Sequence, residues 1–183
     1  MKKYDNSSIS ALKGADRVRK RPAVIFGSDG VEGCEHSMFE ILSNSIDEAR
    51  EGFGSTITVT RYADMSIEVE DFGRGIPVDY NEKEKRYNWE LVFCELYAGG
   101  KYNNNDGGDY EYSLGLNGLG ACATQYSSEY MDVEILRDGF KFNLHFEHGK
   151  NVGGLGKTEF RHRHTGTKIH WKPDLKVFTS IDI

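Results

Sequence analysis

The sequence predicts an α/β fold, a two-layer sandwich whose mixed, mostly antiparallel sheet is backed by helices. Two observations carry that expectation. Stretches of helical character at residues 9–20 and 35–51 are interspersed with paired β-rich runs, at 57–61 and 66–70 and again at 130–137 and 140–147. Each pair is separated by a short connection, Ala63-Asp64-Met65 in the first and Asp138-Gly139 in the second, which reads as a hairpin.

In order along the chain, the helix at 9–20 is stopped by Pro22, and that at 35–51 is ended by Gly52 and Gly54. A third helix is expected over 89–98, and the Gly-, Asn- and Asp-rich stretch that follows, Gly99 through Gly120, reads as a mobile loop. A glycine-rich turn at 149–156 precedes a last strand at 167–171. At 183 residues the chain is long enough for one such domain with a real core.

Composition removes several function classes. Hydrophobic residues at 38% and charged residues at 28% are ordinary for a globular protein. No apolar run approaches the roughly 20 residues of a membrane helix. The opening Met1-Lys2-Lys3-Tyr4-Asp5-Asn6 turns polar where a secretory signal needs an apolar stretch, so a cytoplasmic setting is expected. Cys34, Cys94 and Cys122 are widely spaced, contain no C-x-x-C pair, and read as reduced thiols. A net charge of −6 argues against this domain gripping nucleic acid by itself. The basic run Arg17-Val18-Arg19-Lys20-Arg21 reads as a solvated helix end.

Three motifs carry chemistry. In FEILSNSIDEA, helical spacing puts Glu40, Asn44 and Asp47 in one stripe and Phe39, Leu42, Ile46 and Ala49 on the opposite side. In VEDFGRGIP, Asp71 ends a strand and can accept a hydrogen bond from an exocyclic amine, while Gly73 and Gly75 leave room for a ligand near the backbone. In LGLNGLGA, Gly115, Gly118 and Gly120 precede an apolar helix expected near Ala121, whose first amides favour an anion. Each motif alone has an ordinary structural reading: a solvated helix face, a strand-ending turn, a flexible loop. The glycine order of the third is the reverse of the dinucleotide fingerprint.

Taken in order, and closed by HTGTKIHW with Thr167, these elements resemble the GHKL ATPases of the Bergerat fold. RVRKRPAVIFG, AGGKY and YDNSSISALKG further resemble the B-type subunits of bacterial type II DNA topoisomerases, those of DNA gyrase first and the ParE subunit of topoisomerase IV as the alternative. The resemblance covers nearly the whole chain. Phe72, Ser43 and Asn117 depart from the common pattern. MutL proteins, the superfamily's heat-shock chaperone and histidine kinases share the ATP elements without these flanking strings. A non-enzymatic ATP-binding clamp is the rival class, against which Glu40 speaks.

The resemblance implies ATP and Mg2+ as cofactors. It makes Glu40 the general base, Asn44 the Mg2+ ligand, Asp71 the adenine reader assisted by Thr167, and Asp47, Gly73, Gly75 and Ile76 further nucleotide contacts. Gly99, Gly100, Lys101, Gly115, Leu116, Asn117, Gly118, Leu119 and Gly120 would fold over the phosphates within a lid spanning about 79–120, and Tyr110 would touch the base. Glu48, Arg74, Pro77 and Arg137 resemble the rim where ATP-competitive antibacterial inhibitors bind, with Glu48 a partner for Arg74. Tyr4 and Ile9 would reach the nucleotide of a second protomer, so that ATP closes a homodimer. DNA would be engaged through the holoenzyme together with its A-type partner. The γ-phosphate lysine would come from a following transducer domain, which makes the chain an expected fragment, 1–183 being the ATP-binding domain.

Other look-alikes are set aside. GGLGKT at Gly153–Thr158 imitates a P-loop but has Asn151 where the first glycine belongs, and reads as a turn between strands. His162 and His164 lack further metal ligands nearby. Residues 103–109 lack calcium-loop spacing.

Overall fold

A computed structural model describes residues 12–96, 120–161 and 163–183. The chain runs α1 (Asp16–Arg19), α2 (Pro22–Phe26), α3 (Val31–Arg50), β1 (Ile57–Arg61), β2 (Ile67–Asp71), β3 (Tyr80–Asn81), β4 (Arg86–Tyr87), α4 (Asn88–Cys94), α5 (Gly120–Tyr126), β5 (Ser128–Arg137), β6 (Phe140–Glu147), β7 (Lys150–Asn151), β8 (Gly156–Glu159) and β9 (Gly166–Pro173). Strands pair in the order β1-β2-β9-β5-β6-β7, with β8 also on β6, and β3 pairs with β4 apart from this sheet. Every pairing among the described residues is antiparallel.

Alternation of side chains along a strand separates the two faces of the sheet. Ile67, Val69, Met131, Val133, Ile135, Leu144, Phe146, Ile169 and Trp171 line the buried face, where Ile41 of α3, Phe93 of α4 and Ala121 of α5 cover them. The opposite face is charged: Glu134 lies 3.5 Å from Lys168 and 3.8 Å from Lys141. A second apolar cluster, around Val18, Phe26, Cys34, Cys122, Tyr126 and Phe178, joins the first helices to α5 and the C-terminal segment. The last strand, β9, inserts between β2 and β5, and this places Thr167 directly opposite Asp71.

Several expectations change. Of the helix expected over 9–20, only Asp16–Arg19 is helical among the described residues, and Pro22 beyond it opens α2 at its first turn, where the missing N–H is not needed. Helix α3 begins at Val31, four residues before the expected 35. The β3–β4 hairpin was not legible, because two-residue strands carry no periodicity. The supposed turn over 149–156 holds β7, and the end of GGLGKT enters β8. The basic run is not uniformly solvated. Arg19 donates to the carbonyls of Tyr126 at 3.0 Å and Ser128 at 3.2 Å and is ion-paired to Asp174, whose side chain is 5% exposed.

Candidate functional site

Helix α3 presents an unusual inner surface. Its buried residues are Gly33, Cys34, Ser37, Glu40, Ile41 and Ser45, whereas Phe39, placed on the apolar side by helical spacing, is 53% exposed. The helix is thus turned so that a partly polar ridge, not its most apolar stripe, meets β2 and α5. Ser37 and Thr124 tie it to α5, since the Thr124 hydroxyl donates to the Ser37 carbonyl at 2.7 Å.

Glu40 is 3% exposed. Its Oε1 lies 3.2 Å from His36 Nε2, one helical turn earlier, and the other imidazole nitrogen lies 3.2 Å from the Phe26 carbonyl. Its Oε2 is buried and has no hydrogen-bond partner among the described residues. A buried acceptor left unmatched is costly, commonly about 1–3 kcal/mol and more for a charge, so Oε2 is open to a donor from outside the described residues. Asn44 follows one turn later and is half-buried, as is Asp47.

Asp71 closes β2 and is 8% exposed. Its Oδ2 accepts from the Ser45 hydroxyl at 2.6 Å, and its Oδ1 accepts from the Gly73 N–H at 3.0 Å and the Thr167 N–H at 3.3 Å. Thr167 Oγ1 in turn accepts from the Ile76 N–H at 3.2 Å. The carboxylate, the β9 threonine and the turn carrying Gly73, Gly75 and Ile76 therefore form one bonded unit. A side chain at either glycine would be crowded. A Cβ on Gly73 would lie 2.8 Å from Glu48 Oε2, and Gly75 has φ +81° with a Cβ position 3.0 Å from the Leu136 carbonyl oxygen.

The rim is built around Arg74. Its backbone N–H, Nε and Nη2 donate to Glu48 at 2.9, 3.1 and 2.6 Å, Nη2 also reaches Glu51 at 2.8 Å, and the guanidinium stands 4.1 Å over the Phe53 ring. Burial pushes the Glu48 carboxyl up, but the hydrogen bonds and charge of Arg74 outweigh it and hold it below the ordinary carboxylate range. Arg137 donates to the Gly75 carbonyl at 2.8 Å, and Pro77 is exposed beside this turn. The expected Glu48–Arg74 pairing is present. Glu51 and Phe53 belong to the same cluster and were not singled out by the sequence, nor were Ser45 and His36.

Gly120 opens α5 with φ +48°. Tyr4, Ile9, Lys101, Tyr110, Gly115, Leu116, Asn117, Gly118 and Leu119, with Gly99 and Gly100, lie outside the described residues. Of the stretch 79–120 assigned to a lid, residues 80–94 include β3, β4 and α4, with Phe93 fully buried.

Helix α3 thus carries a buried carboxylate, Glu40, with one oxygen unpartnered among the described residues, and β2 ends in a second buried carboxylate, Asp71, bonded into a glycine turn. The profile of the family described as histidine kinase-, DNA gyrase B- and HSP90-like ATPases matches residues 31–176, and the chain belongs to that family. Within it, the chain is 40% identical over 185 residues to the B-type subunit of DNA gyrase from Thermotoga maritima, covering 100% of this chain and 28% of that protein. It is 41% identical over 181 residues to the B-type subunit of DNA topoisomerase 4 from Staphylococcus epidermidis, covering 97% and 26%. The chain thus spans about a quarter of the length of these relatives. Among solved structures, the 43K ATPase domain of Thermus thermophilus gyrase B in complex with an aminocoumarin matches with a TM-score of 0.75 at 35% identity, covering 91% of this chain and 41% of that one. The topoisomerase IV ATP-binding domain of Francisella tularensis in complex with a small-molecule inhibitor matches with a TM-score of 0.75 at 35% identity, covering 94% and 44%.

Proposed function

We propose that this domain binds ATP with Mg2+ and hydrolyses it, as the nucleotide-gated part of a type II topoisomerase B-type subunit of the gyrase kind. The buried, unmatched Oε2 of Glu40 is the observation that carries the reading. It is the atom that takes a proton from water as that water attacks the γ-phosphorus, while His36 holds Oε1 and so fixes the carboxylate's rotation. Asp71 receives the adenine amine, and Thr167, bonded to it, supports the same edge of the base.

The residues fit a magnesium ion held chiefly by phosphate. No cluster of three or more His, Cys, Asp or Glu able to hold a metal occurs among the described residues, and Mg2+ is commonly bound by one or two side chains plus phosphate and water. Asn44 would hold it, and its chemistry there is to offset phosphate charge. Asp47, on the same helical stripe as Glu40 and Asn44, would assist in holding the nucleotide.

In the larger protein, ATP would join two copies through Tyr4 and Ile9 and fold Lys101, Tyr110 and residues 115–120 over the nucleotide. That closure would drive DNA passage together with an A-type subunit in the cytoplasm. The Arg74, Glu48, Pro77 and Arg137 rim would take ATP-competitive inhibitors. Glu40→Gln tests the reading: ATP binding should persist while turnover of the longer, dimerising protein falls about 10²- to 10⁴-fold, as loss of a general base does. Unchanged turnover would refute it.

A further inference from the structure

An ionised carboxylate offers about four lone-pair positions. At Asp71, three of them carry hydrogen bonds from the described residues: two on Oδ1, from the Gly73 and Thr167 N–H groups, and one on Oδ2, from the Ser45 hydroxyl. Among the described residues one position is left without a donor, and it lies on Oδ2. Ser45 is not a routine helical serine. Serines inside helices commonly turn back onto a carbonyl three or four residues earlier, as Ser37 does to Cys34 and Ser43 to Phe39, both at 2.6 Å. Ser45 instead reaches across to a residue 26 positions away on β2, while only 4% exposed.

A hydroxyl has a single hydrogen, and that of Ser45 is committed to Asp71. The polar surface made by these two residues is therefore acceptor-only. We propose that Ser45 positions Asp71 and sets its base specificity, so that the site takes a purine bearing an exocyclic amine and rejects one bearing an oxo group in its place. The inference rests on Asp71 being the base contact. If the hydroxyl is removed, Oδ2 regains a second open position and loses its anchor. A water entering beside it brings two hydrogens, one for Asp71 and one free to meet an oxo group, so discrimination declines.

The test is calorimetric titration of the 183-residue chain with ATP and with inosine triphosphate, each with Mg2+. The unmodified chain should favour ATP by about tenfold or more, in line with loss of a hydrogen bond to a charged group. Ser45→Ala should weaken ATP about 3- to 10-fold, leave inosine triphosphate nearly unchanged, and so shrink the preference. Ser45→Thr, which keeps the hydroxyl, should restore it. A thermal melt accompanies each variant. If Ser45→Ala does not fold, Ser45→Cys, a weak donor of similar size, is read in its place. Equal affinities in variant and parent, or equal losses for both nucleotides, would overturn the inference. Asp71→Asn separates the two levels: an unaltered ATP affinity there strikes the base-contact reading, whereas a sensitive Asp71 with an indifferent Ser45 strikes only the role of Ser45.

Discussion

Replacing Asp71 by asparagine exchanges one oxygen for an NH2 group, and the bonding around the side chain decides which one. Oδ1 accepts from two backbone N–H groups, so an amide nitrogen there would face two donors. The amide oxygen must therefore take the Oδ1 place and the nitrogen the Oδ2 place, where the Ser45 hydroxyl can reverse and accept. The internal network survives with little change, and stability should fall by no more than about 1 kcal/mol. The ligand meets the opposite situation. The one open acceptor becomes a donor, so the adenine amine loses a charge-assisted bond valued at about 1.5–3 kcal/mol, roughly a ten- to hundredfold loss of affinity. An oxo purine, by contrast, gains a donor to meet it. Calorimetry with ATP and inosine triphosphate should show the first weakened and the second held or improved. Parallel loss of both, or loss of neither, would refute the lone-pair count.

Two further predictions concern the frame around the site. Arg19→Ala leaves Asp174 buried with, among the described residues, only the Lys176 N–H and His148 as partners, so part of the roughly 3–5 kcal/mol typical of a broken buried pair should appear as a lowered urea midpoint. Burial pushes the Asp174 carboxyl up, but Arg19, the Lys176 N–H and His148 outweigh it and hold it below its ordinary value. Its stabilising contribution is thus fully present above the unfolded value of about 3.9 and is lost as pH falls through the depressed folded value, and Arg19→Ala should flatten that acid limb. An acid limb as steep as the parent's would remove the pair from the account. Gly73→Ala would drive a methyl against Glu48 and should cost about 1–3 kcal/mol in a thermal or chemical melt while loosening Arg74. A stable variant with Arg74 still clamped would show that the turn can yield.

What the sequence made legible were features written within one element. Glu40, Asn44 and Asp47 share a stripe because a helix repeats every 3.6 residues, and Asp71 stands at a strand end because a β-rich run meets Gly73 and Gly75. Features needing two distant segments were not legible. Ser45 acquires its meaning from Asp71, 26 positions on, and Arg19 from Asp174, 155 positions on. The rotation of α3 escapes a reading by apolarity because Phe39 outweighs Ser37 and Ser45 on any such scale, although the two serines are the ones buried. Helix periodicity identifies a stripe, and only the neighbouring elements decide which stripe turns inward.

The three thiols add a property unrelated to nucleotide chemistry. Burial, the largest influence on each, pushes Cys94 up to about 11, Cys34 up to about 12 and Cys122 higher still. Each is neutral in the folded chain, whereas it is the thiolate that attacks an alkylating reagent. Modification of Cys34 and Cys122, both fully buried between the first helices and α5, must therefore wait for that layer to come apart, while the half-buried Cys94 in α4 reports a shallower opening. The chain carries its own graded clock for breathing motions, readable by mass spectrometry without any added label site.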